Sequence, residues 1–377
     1  MAELVEAGPV GPDVVEAVHT ATVRLPLDER LAVHGARTVH AVSEFVVVRV
    51  SLTSGAYGYG EVSATRNWSG EDAVSATHFI RDVLAPALVG QPVSPVAALV
   101  ARMDLALSGN PFTKSALDTA LWDALGRSLG LPVAMLLGGA HRTEVPVKIS
   151  LSGDGERLRA CHEAAVAKGF RAFKVKVGKG LAGDLARVRL ARELAGPEAF
   201  LGADANGGWS RAETSRGLPA LRELGLAMVE QPLAAGDLAG LSGLRGGGLP
   251  ILVDESVYGP ADLVRVLRAE AADGVSLYVG KSGGLQRLVT SAAMAAHFGL
   301  DVVIGSNAEL GIGSAAMLHA AAACPRLGDT PSDIIGHHFY TEDILAEPLD
   351  IDGRRARLPE GPGLGVELRE DIRRSLR

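Results

Sequence analysis

Three carboxylates follow short apolar stretches at similar intervals in the middle of the chain. Asp204 lies in FLGADANGGW, Glu230 in LAMVEQP and Asp254 in PILVDES. This spacing is close to the roughly 30 residues that a strand plus a helix takes in a (β/α)8 barrel, whose enzymes keep their active sites at the C-terminal ends of the strands. Three acids that converge there are costly unless a cation neutralises them. Because no Cys or His accompanies them, we expect a hard ion such as Mg²⁺.

Two lysines precede these acids on a predicted strand. In FKVKVG, Lys174 and Lys176 are two residues apart, so their side chains point to the same face of the strand. Inside a barrel a lysine is costly unless its charge is needed there. Two neighbouring ammonium groups beside a divalent cation would lower the pKa of a lysine towards neutrality and make it a usable base. The alternative is an edge strand with two solvated lysines.

Length and composition limit the class of protein. The 377 residues are 47% hydrophobic and 21% charged, which suits one large barrel and a smaller domain rather than a disordered chain. A net charge of −7 without a basic block argues against a nucleic-acid-binding protein. The N-terminus lacks the features of a signal peptide, and no stretch approaches about 18 apolar residues. We therefore expect a cytoplasmic protein that has no membrane partner.

The order of the predicted elements divides the chain in two. Residues 14–62 read as strands and are followed by helical patterns, which indicates an α+β domain. From about residue 145 strands alternate with helices of roughly 10–15 residues, which is typical of a parallel sheet. About seven or eight such units favour a closed barrel over an open sheet. A dinucleotide-binding fold is a weak alternative because no G-x-G-x-x-G follows the first strand of the series.

The motifs K-x-K, D-x-N-x-x-W, V-E-Q-P and D-E-S, in this order, resemble those of the enolase superfamily. Within it the chain is similar to the muconate-lactonising-enzyme (mandelate racemase) subgroup, and the resemblance covers essentially the whole chain. It implies an α/β fold, a modified TIM barrel of the (β/α)7β type with an N-terminal α+β capping domain. We predict the capping domain over 1–140, the barrel over 141–345 and a C-terminal segment over 346–377 that packs back on the capping domain.

The resemblance also implies a reaction. One Mg²⁺ per subunit would bind Asp204, Glu230 and Asp254, and the proton α to a substrate carboxylate would be removed to give an enediolate. Lys176 would be the base, and Lys174 would assist electrostatically. The chemistry of the residues agrees, because an α-proton is too weakly acidic unless a cation stabilises the enediolate. Relatives commonly form dimers or octamers, so we expect a homo-oligomer that acts on a small-molecule carboxylate.

One position departs from the pattern of the subgroup. The sixth barrel strand usually ends in L-K-x-x-K-x-G-G, and its first lysine faces the base lysine across the substrate. Here the segment reads L-Y-V-G-K-S-G-G, so that Tyr278 replaces the first lysine and only Lys281 remains. A phenol, with an ordinary pKa of about 10, is a poor base but a passable acid, or a simple hydrogen-bond donor. Lys176 alone would support elimination or cycloisomerisation, whereas Lys176 with Tyr278 would support epimerisation.

Further residues are predicted at the substrate. Asn206 lies two residues after an acid and can orient a ligand at the same strand end. Asp333 lies where dipeptide-acting relatives carry D-x-D, so that pairing with an amine or imine would indicate an amino-acid-like substrate, with a helix cap or loop charge as the alternative. Glu309 matches a glutamate common in the subgroup, and we place it and Lys281 near the substrate.

Two loops of the capping domain are expected to set specificity. One lies near residues 25–38 and the other spans 63–70. In the second loop, Arg66 could meet a second carboxylate and Trp68 could cover an apolar or cationic face of the substrate. Solvated loop side chains are the alternative.

The expected function is therefore Mg²⁺-dependent abstraction of an α-proton. It would lead to epimerisation or racemisation, or to dehydration, of a small acid such as a cyclic or N-substituted amino acid, for example a hydroxyproline. A muconate-type cycloisomerase is the alternative among enzymes. A barrel that binds metal and ligand without catalysis is the alternative from another class, but the intact Lys176 and the three acids argue against it.

Overall fold

The computed structural model describes residues 13–32 and 42–376. Across them the strands are β1 (Val15–Pro26), β2 (Val42–Leu52), β3 (Tyr57–Ser63), β4 (Glu144–Pro146), β5 (Ile149–Leu151), β6 (Phe173–Lys176), β7 (Leu201–Asp204), β8 (Val229–Glu230), β9 (Ile251–Val253), β10 (Gly274–Leu277), β11 (Asp301–Ile304) and β12 (Arg355–Arg357). The α-helices are α1 (Arg66–Ser69), α2 (Ala73–Phe79), α3 (Ala85–Leu88), α4 (Val96–Ala106), α5 (Pro111–Leu129), α6 (Val133–Leu136), α7 (Glu156–Ala167), α8 (Leu181–Ala195), α9 (Arg211–Glu223), α10 (Leu238–Leu244), α11 (Pro260–Arg268), α12 (Val279–Ser282), α13 (Leu285–His297), α14 (Gly311–Ala323) and α15 (Glu370–Ser375). A π-helical turn at Ile80–Leu84 joins α2 to α3, and a 3₁₀ turn spans Gly336–Phe339. In the part of the chain described here, every helix is too short or too polar to cross a bilayer.

The N-terminal sheet is an antiparallel meander in the order β1-β2-β3. Its central strand β2 is buried on both faces, because alternate side chains enter two different cores. Val46, Val48 and Val50 pack with the helices of the capping domain, whereas Phe45 and Val47 pack in the larger core that contains the barrel. The sheet therefore lies between its own helices and the barrel.

Glycines bring the third strand of this sheet against the longest helix. β3 contains Gly58 and Gly60, which have no Cβ atom. A Cβ atom at these positions would overlap the backbone of Ala120 and Ala116, respectively, on α5. The strand and helix backbones can approach this closely only because there is no Cβ between them.

The barrel sheet is parallel, with strand order β11-β10-β9-β8-β7-β6-β5. Its register aligns the C-terminal ends of three neighbouring strands, since Lys176 on β6 pairs with Asp204 on β7, and Asp204 pairs with Glu230 on β8. Asp254 directly follows β9. The predicted lysines and acids are thus gathered at one edge of the sheet by backbone pairing.

The ring closes through a short segment in the eighth position rather than a regular strand. The amide of Asp333 donates to the carbonyl of Ile304 on β11 at 2.8 Å, and the amide of Lys148 donates to the carbonyl of Ser332 at 2.9 Å. Val147 and Ser332 form a parallel bridge. These contacts connect the last strand to the first, and we call residues 331–334 the seam.

The C-terminal residues contact both parts of the molecule. β12 pairs with β4, which directly precedes the first barrel strand in the chain. Further on, the amide of Leu364 donates to Asp123 on α5 at 2.8 Å, and Glu367 forms an ion pair with Arg127 on the same helix. The division of the chain at residues 140 and 345 stays a prediction.

Candidate active site

The three predicted metal ligands are buried at the C-terminal ends of adjacent strands. Asp204 ends β7, Glu230 ends β8 and Asp254 follows β9, and each is at most 1% exposed. Few uncharged groups donate hydrogen bonds to these buried acids. The amide of Asn206 donates to one oxygen of Asp204 at 2.9 Å, while the hydrogen bonds to the Glu230 side chain come from a lysine.

Both lysines of β6 point into the barrel, as their spacing predicted. The Nζ atom of Lys174 lies 3.1 and 3.2 Å from the oxygens of Glu230 and 3.7 Å from Asp204. The Nζ atom of Lys176 lies 2.7 Å from Asp204 and 3.2 Å from the Oδ1 of Asn206. Their ammonium groups neutralise the carboxylates in this arrangement.

The pKa values of both lysines are raised, whereas the sequence predicted that the pKa of a lysine would be lowered here. Burial favours the neutral amine of Lys176, but the Asp204 carboxylate outweighs it, and the pKa is raised above its ordinary value. For Lys174, burial is outweighed by Asp333 and Glu230, and its pKa is raised well above the ordinary value. The prediction considered the repulsion between the two ammonium groups and a cation, whereas the nearby carboxylates dominate here.

Burial acts in the opposite direction on the acids. It raises the pKa of Glu230 to about 8, although Lys174 opposes the shift. It also raises the pKa of Asp254 against the effect of Lys281. At Glu230 and Asp254 the lysines therefore compensate the desolvation only in part, whereas at Asp204 the charges of Lys176 and Lys174 outweigh burial and the pKa is lowered.

The residues present fit a hard divalent cation. With the side chains in their present positions, no three His, Cys, Asp or Glu groups of the described residues are spaced to hold a metal ion. Lysine ammonium groups lie among the acids instead. Even so, the donors of Asp204, Glu230 and Asp254 are all carboxylate oxygens, which Mg²⁺ prefers. The neighbouring Glu255 has a buried Oε2 atom without a hydrogen-bond partner, so negative charge is left unsatisfied beside these acids.

The hydroxyl group of Tyr278 is hydrogen-bonded to a predicted metal ligand and is therefore not a free phenol. Its hydroxyl donates to one oxygen of Asp254, and the Nζ of Lys281 lies 2.5 Å from the other oxygen. The ring stacks on Trp68, with centroids 5.6 Å apart and planes at 4°. Burial and the Asp254 charge raise the pKa of the phenol well above its ordinary value, which fits a hydrogen-bond donor better than a base.

A pocket opens above these groups, between the barrel and the capping domain. Of the predicted site residues, those that line it are Trp68, Lys174, Lys176, Asn206, Tyr278 and Asp333. The other lining residues are Leu27, Ser43, Lys148, Ser150, Ser306, Asn307, Ala308, Ile335, Phe339 and Tyr340. Aromatic and apolar side chains therefore share the walls with serine and asparagine side chains, and the lysines lie at the floor.

Three predicted substrate residues lie outside this lining. Arg66 pairs with Asp72 at 2.6 Å, and its side chain is 74% exposed. Lys281 is fully buried behind Asp254. Glu309 accepts a hydrogen bond from the amide of Asn307 at 3.0 Å and is buried beside the capping domain. Of the first predicted loop, residues 33–38 lie outside the described residues, while Leu27 reaches the pocket.

Sequence reasoning missed two charged residues of the site. Lys148, fully buried just before β5, lies with its Nζ 3.0 Å from Asp333 and 2.5 Å from the carbonyl of Pro331. Its signal was a charged residue within the apolar stretch VPVKISL, the same kind of signal that revealed Lys174. Glu255 accepts hydrogen bonds from Asn206 at 3.0 Å and from the indole of Trp68 at 3.3 Å.

Fold and site together define a capped barrel enzyme whose acids and lysines meet at the C-terminal ends of parallel strands. The family of the mandelate racemase / muconate lactonizing enzyme N-terminal domain matches residues 17–138, and the enolase C-terminal domain-like family matches residues 156–372. The chain belongs to this mandelate racemase and muconate lactonizing enzyme family of the enolase superfamily.

Similar proteins span nearly the whole chain. An N-succinyl-L-Arg/Lys racemase of Bacillus cereus is 31% identical, covering 96% of this chain and 97% of the relative. A muconate cycloisomerase of Acinetobacter lwoffii is 33% identical, covering 96% of each. The solved structure of a substrate-liganded L-Ala-D/L-Glu epimerase from Bacillus subtilis has a TM-score of 0.89 at 30% identity, covering 94% of this chain and 98% of that one.

These similarities confirm the predicted superfamily and the capped, modified TIM barrel. The chain is an enzyme of the enolase superfamily, an isomerase of the racemase, epimerase and cycloisomerase type. Enzymes of this family depend on a metal ion, typically Mg²⁺.

Proposed function

We propose that the chain removes the proton α to the carboxylate of a small, amino-acid-like acid, and that Lys176 is the base. The observation that carries this proposal is the position of Lys176 at the pocket floor, with its Nζ 2.7 Å from Asp204. A lysine that is both beside the buried acids and open to a ligand can take a proton from a substrate held there. Epimerisation, racemisation or loss of a β-hydroxyl as water would follow.

Asp204, Glu230 and Asp254 are proposed to hold one Mg²⁺ per subunit. When bound, this ion supplies positive charge that stabilises the negative charge developing on the substrate carboxylate as the α-proton leaves. Around these ligands, Tyr278 and Lys281 each hold one oxygen of Asp254. Hydrogen bonds of this kind fix the orientation of a ligand carboxylate.

The remaining residues act on the proton and the charge. Lys176 in its neutral form takes the α-proton, and the Oδ1 of Asn206, 3.2 Å away, can accept a hydrogen bond from the resulting ammonium group. Lys174 adds positive charge beside the developing anion. The Lys176 ammonium can pass the proton to a leaving hydroxyl or return it to the face of the α-carbon from which it came, whereas inversion requires a proton delivered to the opposite face. In our proposal Tyr278 positions Asp254.

A muconate-type cycloisomerase is the second candidate. Muconate cycloisomerases of 33–34% identity support it, and so does the hydrogen bond between Tyr278 and Asp254, since a cycloisomerase needs only one base.

We also propose that the chain forms a homo-oligomer, a dimer or octamer, in the cytoplasm. Sedimentation analysis tests the number of subunits.

Deuterium exchange at the α-carbon tests the proposed reaction. The Mg²⁺-loaded protein would be incubated in D₂O with amino acids, N-acyl amino acids, hydroxyprolines, dipeptides and muconates, and followed by NMR and mass spectrometry. Exchange with inversion would indicate an epimerase, loss of water a dehydratase, and ring closure a cycloisomerase. If protein shown to hold Mg²⁺ exchanged no α-proton and converted no compound of the set, the proposal would be rejected.

A further inference from the structure

Trp68 attaches a loop of the capping domain to the barrel. It lies on α1, a helix that has no buried residue and no side-chain hydrogen bond at its N-cap. Its indole stacks on the rings of Tyr278 and Tyr258, with centroids 5.6 and 5.8 Å away, and meets Phe112 edge-on at 5.8 Å. Both tyrosines follow strands of the barrel. The loop of residues 63–70 therefore rests on the barrel through this side chain.

The first connection from Trp68 to the acids runs through Tyr278. The planes of the two rings differ by 4°, and the phenol hydroxyl donates to one oxygen of Asp254. A Cβ atom at Gly305 would overlap the tyrosine ring, so the backbone there packs closely against it. Because the ring is confined by the indole and by this backbone, its hydroxyl is held towards Asp254.

The second connection is a hydrogen bond. The indole N–H of Trp68 donates to the Oε1 of Glu255 at 3.3 Å, and the same oxygen accepts from the amide of Asn206 at 3.0 Å. The Oδ1 of Asn206 in turn lies 3.2 Å from the Nζ of Lys176. One indole of the capping domain thus contacts a group that holds Asp254 and a group that leads to the base.

These contacts affect the binding of a cation because Mg²⁺ demands a nearly ideal octahedral arrangement of its ligands. Groups that are hydrogen-bonded to a ligand carboxylate fix its orientation before the ion arrives. A loop that keeps Tyr278 in place therefore favours Mg²⁺ binding. By thermodynamic linkage, the bound ion favours the seated loop by the same factor.

We propose that Trp68 is a positioning residue that links the seating of loop 63–70 on the barrel to the binding of Mg²⁺, through Tyr278 and Glu255. This inference rests on the proposed function, since it concerns the metal site of the same reaction. It goes beyond the substrate cover that the sequence predicted for Trp68, because it gives the side chain a task before any substrate is present.

Calorimetric titration with Mg²⁺ alone tests the link without a substrate. Trp68→Leu removes both connections, so the Kd for Mg²⁺ should rise at least about fivefold, the lower end of typical coupling between sites. Asn67→Ala, at an exposed neighbour in α1, is the control and should keep the Kd within about twofold. An unchanged Kd in folded Trp68→Leu would overturn the inference and leave the metal site standing. Absence of Mg²⁺ binding to the unmodified protein would overturn both.

A double-mutant cycle with Tyr278→Phe distinguishes a link from two independent losses. If Trp68 acts through the phenol hydroxyl, the Kd of the double variant should be at least about twofold lower than the product of the two single effects predicts. Single effects that simply multiply would overturn the inference, because Trp68 would then act without Tyr278.

Hydrogen exchange followed by mass spectrometry gives a readout that needs no variant at Trp68. The amides of residues 68–70 donate to carbonyls of residues 65 and 66, so they exchange when α1 opens. Saturating Mg²⁺ should slow this exchange at least about fivefold in the unmodified protein and at least about twofold less in Tyr278→Phe. α4 of the same domain is the control and should change by less than about twofold. Exchange in α1 that is insensitive to Mg²⁺, in protein shown to hold the ion, would overturn the inference.

Discussion

Lys174 and Lys176 lie on the same face of one strand, yet their surroundings give them different tasks. The Lys174 side chain is 5% exposed and is held between Glu230 and Asp333. The Lys176 side chain is 14% exposed and has contacts with Asp204 and Asn206. The more accessible amine is the one that can meet a substrate, while the enclosed one contributes its charge.

Replacing Lys176 tests its assignment as the base. Lys176→Met should lower the rate of α-proton exchange by about 10²–10⁴-fold, because a positioned base is lost while the strand keeps a side chain of similar length. Single-turnover exchange in D₂O measures this rate. Lys179→Met, at an exposed lysine three residues further on, is the control and should behave as the unmodified protein. Near-normal exchange in Lys176→Met would show that the base is another group.

The variant Tyr278→Phe tests the role of the phenol hydroxyl. Because its hydroxyl is bound to Asp254, we expect the variant to keep α-proton exchange within about tenfold and to bind Mg²⁺ more weakly, having lost one group that orients a ligand. Exchange by NMR and Mg²⁺ titration by calorimetry measure the two effects. Loss of inversion with unchanged exchange would instead identify Tyr278 as the acid on the opposite face.

At the residue scale, repeated patterns predicted the lysine pair and the acids, whereas the lone residues Lys148 and Glu255 were missed. Strand periodicity identified the pair Lys174 and Lys176, and similar spacing identified the acids. Lys148 is a lone lysine, and its role depends on Asp333, which is distant in sequence and near in space. The raised lysine pKa values could not be predicted either, because they depend on which carboxylates lie within a few ångströms.

The contact between β3 and α5 positions the capping domain through glycines. Gly60→Ala should destabilise the protein by about 1–3 kcal/mol, since the new methyl group would overlap the carbonyl oxygen of Ala116. Denaturant or thermal unfolding measures this change. Gly183→Ala in α8 is the control, because no atom lies within 4 Å of its added Cβ and alanine favours a helix. Equal stability of the two variants would contradict the close packing of β3.

Asp118 connects the long helix of the capping domain to the barrel. On α5 it accepts a hydrogen bond from the amide of Leu285, in the first turn of α13, at 2.7 Å. Burial raises its pKa to about 7 from the ordinary value of 3.8. The folded protein therefore keeps a proton that the unfolded chain releases between these two pH values. Stability from this group falls as pH rises through that window and is constant above it.

Asp118→Asn removes this titration while it preserves an acceptor for Leu285. Relative to the unmodified protein, the variant should gain stability by up to about 1.4 kcal/mol per pH unit as pH rises from about 4 to about 7. Urea unfolding of both proteins at several pH values measures the difference, in which other titrating groups cancel. A difference that does not change with pH would mean that the carboxyl group titrates normally.

Elements were predicted better than their ends. Alternating strands and helices identified the parallel sheet, because a strand buried between barrel interior and helices is apolar over several residues. The seam was not predicted to lack a regular strand. Its closure depends on hydrogen bonds from the amide of Asp333 to Ile304 in the last strand and from the amide of Lys148 to Ser332 in the seam. Such pairing leaves no periodic pattern in sequence.

At the scale of the molecule, the buried acids link metal binding to stability. Mg²⁺ should raise Tm progressively with its concentration, because an ion that binds only the folded state stabilises it by about 2.7 kcal/mol at 100 times its Kd. EDTA should reverse the shift and abolish activity. Asp204→Asn should remove most of the shift, whereas Asp329→Asn, at an exposed acid, should retain it. A Tm unaffected by Mg²⁺ would contradict the proposed metal site.

The whole architecture was predictable because the chemical motifs occur in a fixed order over the entire chain. Family matches to residues 17–138 and 156–372 confirm that the cap and the barrel belong to the enolase superfamily. The pocket was less predictable, since its walls come from segments far apart in sequence, such as Leu27, Trp68 and Tyr340. The periodicity of apolar residues predicts which face of a strand or helix is buried, but it does not predict which other element packs against that face.

The seam also determines when the site becomes complete during synthesis. Lys148 and Asp333 are 185 residues apart in the chain, and contacts of such long range form late because the entropy of closing the loop opposes them. The acids and lysines of β6 to β9 leave the ribosome well before the residue that holds Lys148 and Lys174 together. A nascent chain therefore carries its reactive groups before it has the pocket that selects a substrate, and maturation of specificity coincides with the return of the last segment to the first.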